Sequence, residues 1–258
     1  MADAATNEPR LTGQVPLYKN VEPLNRQKHA KYGVNAVSNP FTFLQEWHFV
    51  PAISGEFAVA SGSYPIVFLG EKKMPVIVMG LRAGSNLFVK DGQFDIEHYI
   101  PAYVRRYPFV SAANPGDAPS TICIDVGADF VVEQNPERPL FDDNGEPTDY
   151  TQQAIDYVSA FERDAKETEA FVERLTALDL FEKKEIKVAN PQDPENPVTV
   201  ADYFGVSQEK LTALPDDKTL ELHKSGDLAA ITSHLISLQR WERIMRRVAE
   251  QAQSAQNA

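Results

Sequence analysis

The residues best placed for chemistry lie in one segment, Tyr99-Ile-Pro-Ala-Tyr-Val-Arg-Arg-Tyr-Pro-Phe109, where two adjacent arginines sit among aromatic residues. Arg105 and Arg106, flanked by Tyr103 and Tyr107, can present planar guanidinium groups to a carboxylate, a phosphate or a sugar-linked anion, with the rings as walls of a pocket. The structural alternative is equally concrete. Pro101 suits the first position of a helix and Pro108 stops it after Tyr107, so both arginines fall in the last turn, beside exposed carbonyls and the negative end of the dipole. Gly55-Glu56-Phe57 and Ser63-Tyr64-Pro65 carry the same two readings, with Glu56 either an acid or base or the buried partner of Arg105. With His48 the candidate ligand-binding set is Arg105, Arg106, Tyr107, Tyr103, Tyr64, Glu56 and His48.

Other tests for chemistry are negative. The chain has no G-x-G-x-x-G, no G-x-x-x-x-G-K-[ST] and no G-x-S-x-G, so dinucleotide, P-loop and α/β-hydrolase readings lose their warrant. None of the five histidines begins an H-x-D/E pair, and no two are four residues apart. Cys123 is the only cysteine and lies in an apolar run, Thr121 to Val126, where it reads as a small buried hydrophobe; a disulfide or a cysteine-based zinc site is ruled out within the chain. No metal and no cofactor are expected, and no catalytic residue is assigned. Ser207-Gln-Glu-Lys210 reads as a helix N-cap, and Asp142-Asp-Asn-Gly145 as a solvated turn.

Two kinds of element must position the candidates. From Trp47 to Val132 short runs rich in Val, Ile, Phe and Tyr, bounded by turn residues, predict strands; Tyr64–Leu69 and Met74–Leu81, joined by Gly70-Glu-Lys-Lys73, predict an antiparallel hairpin. From Tyr150 the apolar spacing changes to three and four. Ala154, Tyr157, Val158, Phe161, Phe171, Val172 and Leu175 mark one long amphipathic helix, and Leu228, Ile231, Leu235, Leu238, Trp241, Met245 and Val248 a second after Gly226. Short helices are expected over Gln208–Ala213 and Asp217–Lys224, and the proline-rich segment Asn190–Pro197 as an exposed loop. The fold class is therefore α+β: an antiparallel, strand-rich N-terminal half with two long C-terminal amphipathic helices packed on it. We expect one domain over 16–251, strand-rich over 16–149 and helical over 150–251, with disorder over 1–15 and 252–258.

Charge narrows the partners. The 258 residues include 37 acidic and 25 basic side chains, a formal net charge of −12. That sign repels phosphate polyanions and anionic lipid, so nucleic acid and membrane surfaces are excluded as general partners. No apolar run reaches the roughly 20 residues a membrane helix needs, and no Sec signal opens the chain, which makes a cytoplasmic location the expectation and a surface location dependent on another export route. Asp125 to Tyr150 holds eight acids and one base. Arg240, Arg243, Arg246 and Arg247 form the one basic concentration and read as a solvated helix face.

These residues also carry a resemblance. Pro16-Leu-Tyr-Lys-Asn20 with Pro23-Leu-Asn25, Val50-Pro51 with Glu56-Phe57, Tyr64-Pro-Ile-Val-Phe68, Asn86-Leu-Phe-Val89, Tyr99 to Phe109, Pro139-Leu-Phe-Asp142 with Gly145-Glu-Pro147, and Leu222-His-Lys-Ser-Gly226 with His234-Leu-Ile-Ser-Leu238 together resemble the bacterial SapC family, which is distinct from a similarly named peptide-transporter permease. The resemblance implies an association with the paracrystalline surface layer of Gram-negative bacteria and genes near TonB-dependent receptors, halogenase-like flavoproteins and cupin-type proteins. It carries over no catalytic residues. The leading expectation is a non-catalytic accessory or ligand-binding protein of an envelope or uptake system, with a protein partner there or a peptide, glycan or small anionic ligand. The alternatives are an enzyme working with a flavin- or iron-dependent partner through His48, Glu56, Tyr64 and Arg105, and a surface-layer structural protein.

Overall fold

The computed structural model describes residues 17–114, 119–190 and 193–256. In chain order the strands are β1 (Val21–Pro23), β2 (Gly33–Val34), β3 (Phe49–Pro51), β4 (Ile66–Leu69), β5 (Met74–Val78), β6 (Val89–Lys90), β7 (Gln93–Phe94), β8 (Phe109–Ala112), β9 (Thr121–Asp125), β10 (Val131–Val132), β11 (Arg138–Pro139), β12 (Phe181–Asn190) and β13 (Asp193–Val206). The helices are α1 (Phe57–Ala60), α2 (Ala102–Arg105), α3 (Asp149–Ala177), α4 (Gln208–Thr212), α5 (Asp216–Ser225), α6 (Asp227–Ser237) and α7 (Trp241–Gln256). Every pairing described below is antiparallel, and the class is α+β. The chain divides into two compact units: residues up to Leu44 with Asp91–Gln93 and Val104–Arg163, and Gln45–Lys90 with Phe94–Tyr103 and residues from Asp164 onward.

The first unit is built on the sheet β1-β9-β8. Side chains alternate across a strand, so the registers Phe109↔Ile124 and Val110↔Cys123 send neighbouring pairs to opposite faces. Phe109 and Ile124 join Leu140, Phe141 and Val158 of α3 in one cluster, while Val110 and Cys123 pack with Ala112, Tyr18 and Val21 in another. Cys123 is buried as its apolar run predicts, and burial pushes its thiol up to about 11, which leaves it unreactive at neutral pH. A second small sheet, β10-β2-β11, approaches so closely at Gly33 that a Cβ there would lie 2.3 Å from the Arg138 carbonyl oxygen, so glycine is required.

The second unit carries a five-stranded sheet ordered β12-β13-β4-β5-β3. The predicted hairpin is present as β4 and β5, with Leu69↔Met74 and Ile66↔Ile77 in register and Gly70 at φ 69° in the turn. The helical half contains a further hairpin that the sequence pattern does not announce. β12 and β13 pair from Phe181↔Val206 through Ile186↔Ala201, and the strand assignment covers 190 and 193–197 of the segment predicted as an exposed loop; 191 and 192 lie outside the described residues. β12 is an edge strand stocked with charge: Lys183 pairs with Asp202 at 3.2 Å, Glu182 with Lys184 at 2.6 Å and Glu185 with Lys187 at 3.0 Å. Such alternation protects an edge from further pairing and at the same time hides the strand from a hydrophobicity reading.

The long helix predicted from Tyr150 is α3, with Val158, Phe161, Phe171, Val172 and Leu175 buried along its stripe. The short helices also form, as α4 and α5, and α5 closes at Gly226 with φ 85°, the left-handed stop that glycine supplies. The second long helix is broken in two. α6 ends at Ser237, whose Oγ donates to the His234 carbonyl at 2.6 Å and accepts from the Ile66 N–H at 3.0 Å; a 3-10 turn, Leu238–Arg240, follows before α7. One residue thus joins helix and sheet, and its back-bond to a carbonyl of its own helix favours a bend there. α7 then runs to Gln256, through residues expected to form a disordered tail.

His234 completes this junction. It is fully buried, its Nδ1–H donates to the Ile66 carbonyl at 2.8 Å, and its Nε2 accepts from the Val206 N–H at 3.0 Å. Because Nε2 accepts, the ring is the neutral Nδ1–H tautomer. β13 meets β4 at Phe204↔Phe68, and the imidazole bonds a backbone group of each strand two residues to the same side of that register.

Candidate functional site

α2 is one turn long, beginning one residue after Pro101, and Arg106 and Tyr107 follow it before Pro108 and β8. Its first N–H, that of Ala102, donates to Glu56 Oε2 at 2.8 Å, and Oε1 of the same carboxylate accepts from the Ile53 N–H at 3.1 Å. Glu56 is buried and acts as a capping carboxylate for two backbone segments, the local use of a negative charge at a helix start. Glu56→Ala is expected to lower stability by about 3 kcal/mol, because two buried N–H groups lose their acceptor. Glu56→Gln, which retains one oxygen, should cost clearly less. Urea denaturation measures both, and an unchanged midpoint for the alanine variant would contradict the capping role.

Arg105, Arg106 and Tyr107 line a cavity of about 200 Å³ together with Phe109 and, from α3, Tyr150, Gln153, Ala154 and Tyr157. Arg105 is exposed and its guanidinium lies 5.3 Å from the centre of the Tyr157 ring. Arg106 is buried, with its guanidinium 4.7 Å from the Phe161 ring centre and 5.7 Å from that of Tyr18. Aromatic rings attract these cations by their quadrupoles. Tyr107 is fixed more firmly. Its ring stacks on Phe43 at 3.9 Å, and its hydroxyl donates to Asp125 Oδ2 at 3.1 Å. Burial first, then the Asp125 charge, raises its phenol far above the ordinary range, so it remains a neutral donor.

Asp125 organises the floor beneath this segment. Fully buried, it accepts from the Lys19 N–H at 2.8 Å on Oδ2 and from the N–H groups of Asn20 at 2.7 Å and Gly127 at 3.0 Å on Oδ1, in addition to Tyr107. The sequence shows Asp125 only as one of many acids, and no local signal marks its role. Tyr150, Gln153 and Tyr157 lie at three- and four-residue spacing on α3, but the apolar period alone places Tyr157 in the buried stripe and marks none of the three as lining a cavity.

The remaining candidates are placed elsewhere. His48, Glu56, Tyr64 and Tyr103 are not among the residues lining this cavity. Tyr64 is fully buried, donates to the Tyr99 carbonyl at 2.6 Å and sets its ring edge-on to Phe88 at 4.6 Å; burial raises its phenol strongly. Tyr103 is buried. His48 stands edge-on to Phe49 at 4.6 Å, burial draws its pKa down, and it lines a different cavity with Tyr203 and Trp241.

The arginines of the last helix are not a solvated face. Arg240 Nε donates to the Ser61 carbonyl at 3.1 Å, Arg243 to those of Gly62 and Ser63 at 3.0 Å each, and Arg247 to the Leu87 carbonyl at 2.8 Å and to Asp95 at 2.6 Å. Arg240 and Arg243 take up carbonyls just beyond the end of α1, where a helix leaves acceptors unsatisfied. Arg246 alone of the four is the exposed partner in a surface pair, 3.9 Å from Glu250.

Among the described residues no group of three or more His, Cys, Asp or Glu side chains is arranged to hold a metal ion, and no helix is long and apolar enough to cross a membrane. These features define an α+β protein with a cation- and aromatic-lined cavity of small-ligand size. A family model described as SapC matches residues 24–244, and the chain belongs to the SapC family. No curated protein and no solved structure matches it.

Proposed function

We propose that this protein is a non-catalytic, ligand-binding accessory of a bacterial envelope or uptake system, and that it recognises a small anionic group, free or borne on a peptide or glycan, at the Arg105 cavity. The observation that carries this reading is the exposed Arg105 guanidinium held over the Tyr157 ring at the wall of that cavity. The planar guanidinium has the shape to meet a carboxylate in two parallel charge-assisted hydrogen bonds. Tyr150 and Tyr157 offer ring faces for the body of the ligand and Gln153 an amide for a further hydrogen bond. About 200 Å³ suits one carboxylate-bearing ring or one sugar acid. The envelope or uptake setting rests on the family alone.

The test is calorimetric titration with benzoate and with glucuronate. Wild-type protein is expected to bind at least one of them, and Arg105→Ala to weaken that binding by at least tenfold, the scale of a charge-assisted hydrogen bond. Arg105→Lys should recover only part of the loss, because an ammonium lacks the fork. Equal binding by wild type and Arg105→Ala would contradict the proposal.

A further inference from the structure

The surface where α1 packs on α6 and the start of α7 follows differs in charge from the rest of the chain. Acids outnumber bases by 37 to 25 overall, yet neither 57–70 nor 228–241 contains an acid. Ile236, Arg240, Arg243 and Arg247 recur at spacings of four, three and four, which keeps them on one side as the helical path continues through the Leu238–Arg240 turn. Arg247 is fully engaged, by the Leu87 carbonyl, Asp95 and His98. Arg240 and Arg243 are half-buried and use only part of their donor sets: Nε on the Ser61 carbonyl for Arg240, Nη1 on those of Gly62 and Ser63 for Arg243. Their other nitrogens have no partner among the described residues, and none of them is buried.

Arg240 therefore keeps its terminal Nη1 and Nη2 pair and Arg243 its Nε and Nη2 edge, each a planar set of donors with the shape that meets a carboxylate. The carbonyl contacts hold both side chains in place, so a ligand need not freeze their rotamers. The cations are also closely set. Burial first, then the Arg240, Arg247 and Arg246 charges, draws the Arg243 pKa down. Arg247 has Asp95 at 2.6 Å and Arg246 has Glu250 at 3.9 Å, whereas no carboxylate pairs with Arg240 or Arg243 among the described residues. Two exposed aliphatic side chains lie on the same elements: Val59, two residues before Ser61, and Ile236, four before Arg240, are 54 % and 45 % exposed. From these observations we propose that this surface docks an acidic segment of a partner protein, its carboxylates meeting Arg240 and Arg243 and an aliphatic side chain covering Val59 and Ile236. The acidic remainder of the chain repels such a segment and directs it here. A single carboxylate such as benzoate can neutralise only one of the two cations and is not expected to be held. The surface shares no residue with the Arg105 cavity, so the two readings stand or fall separately.

The probe is the peptide acetyl-Glu-Glu-Leu-Glu-Glu-Leu-amide, titrated into the full chain and followed in the ¹H–¹⁵N spectrum. It is expected to move the Nε–H signals of Arg243 and Arg240 saturably and at the same concentrations. The counterpart with glutamine in place of glutamate should bind at least tenfold more weakly, and raising the salt to about 0.5 M should weaken the acidic peptide severalfold, because exposed charge pairs are screened. Arg243→Ala should cost at least tenfold in affinity, but it also strips the Gly62 and Ser63 carbonyls of their donor. Ile236→Glu is the second variant. It leaves every arginine contact in place, sets a repelling carboxylate on exposed surface, and should weaken the peptide at least tenfold while the backbone spectrum keeps wild-type dispersion. The proposal is overturned if the acidic peptide produces no saturable movement, if the glutamine peptide moves the signals equally, if the shifts fall at Arg105 and not at Arg240 and Arg243, or if folded Ile236→Glu binds like wild type.

Discussion

His234→Ala is expected to destabilise the protein by about 4 kcal/mol, because it removes a fully buried ring and two backbone hydrogen bonds at once. The Ile66 carbonyl and the Val206 N–H lose the imidazole, and the void lies beside Phe68, whose ring packs edge-on to it at 5.1 Å. The same residue sets a pH dependence whose sign is fixed by burial. Desolvation lowers the folded-state pKa of His234 from 6.5 to about 4, so the folded ring stays neutral where the unfolded one takes up a proton. Its contribution is therefore complete above about pH 6.5 and declines as pH falls toward 4, by about 3 kcal/mol in all. Urea denaturation of wild type and His234→Ala from pH 7.5 to 4 measures both effects. The difference between them should be largest near neutrality and shrink on acidification; a difference that is constant with pH would contradict the assignment of a neutral buried ring.

Asp125→Asn is expected to cost about 3 kcal/mol, although it changes almost no volume. The carboxylate faces four donors, two on each oxygen. An amide offers one oxygen, so either orientation turns an NH₂ group toward two of them. If it faces the Oδ2 side, the Tyr107 hydroxyl can rotate to accept, but the Lys19 N–H cannot; on the Oδ1 side, the N–H groups of both Asn20 and Gly127 lose their acceptor. Because Tyr107 belongs to the cavity lining, this substitution should also weaken benzoate binding, whereas Glu56→Gln should leave it near wild type. Thermal denaturation combined with calorimetry separates the two readouts. Full stability for Asp125→Asn would show that its four-donor arrangement contributes little.

Local pattern revealed the elements with an apolar period: α3 by its stripe, the β4 and β5 hairpin by two Val- and Ile-rich runs around a glycine turn, and the Arg105 to Tyr107 segment by its unusual composition. It failed where stability comes from distant partners. β12 is dense in charge and β13 contains two prolines, so their strand character is expressed in ion pairs along β12 and across to Asp202, and not in hydrophobicity. The break between α6 and α7 follows from Ser237 bonding a strand 171 positions earlier. Glu56 reads equally well as a base, an ion-pair partner or a cap until Ala102 is seen donating to it across 46 residues. His234 shows no motif, and neither does Asp125. For Ser237, Glu56, His234 and Asp125 the deciding partners include distant backbone groups, and sequence spacing carries no record of them.

Arg105 is the group proposed to meet an anion, and the most direct measurement follows its own Nε–H resonance during a benzoate titration. The expected result is a saturable shift of the Arg105 signal, with Gln153 side-chain signals moving at the same concentrations and Arg240, Arg243 and Arg247 unmoved in their carbonyl contacts. An Arg105 resonance that stays in place while benzoate perturbs another region, or no saturable shift at all, would contradict it.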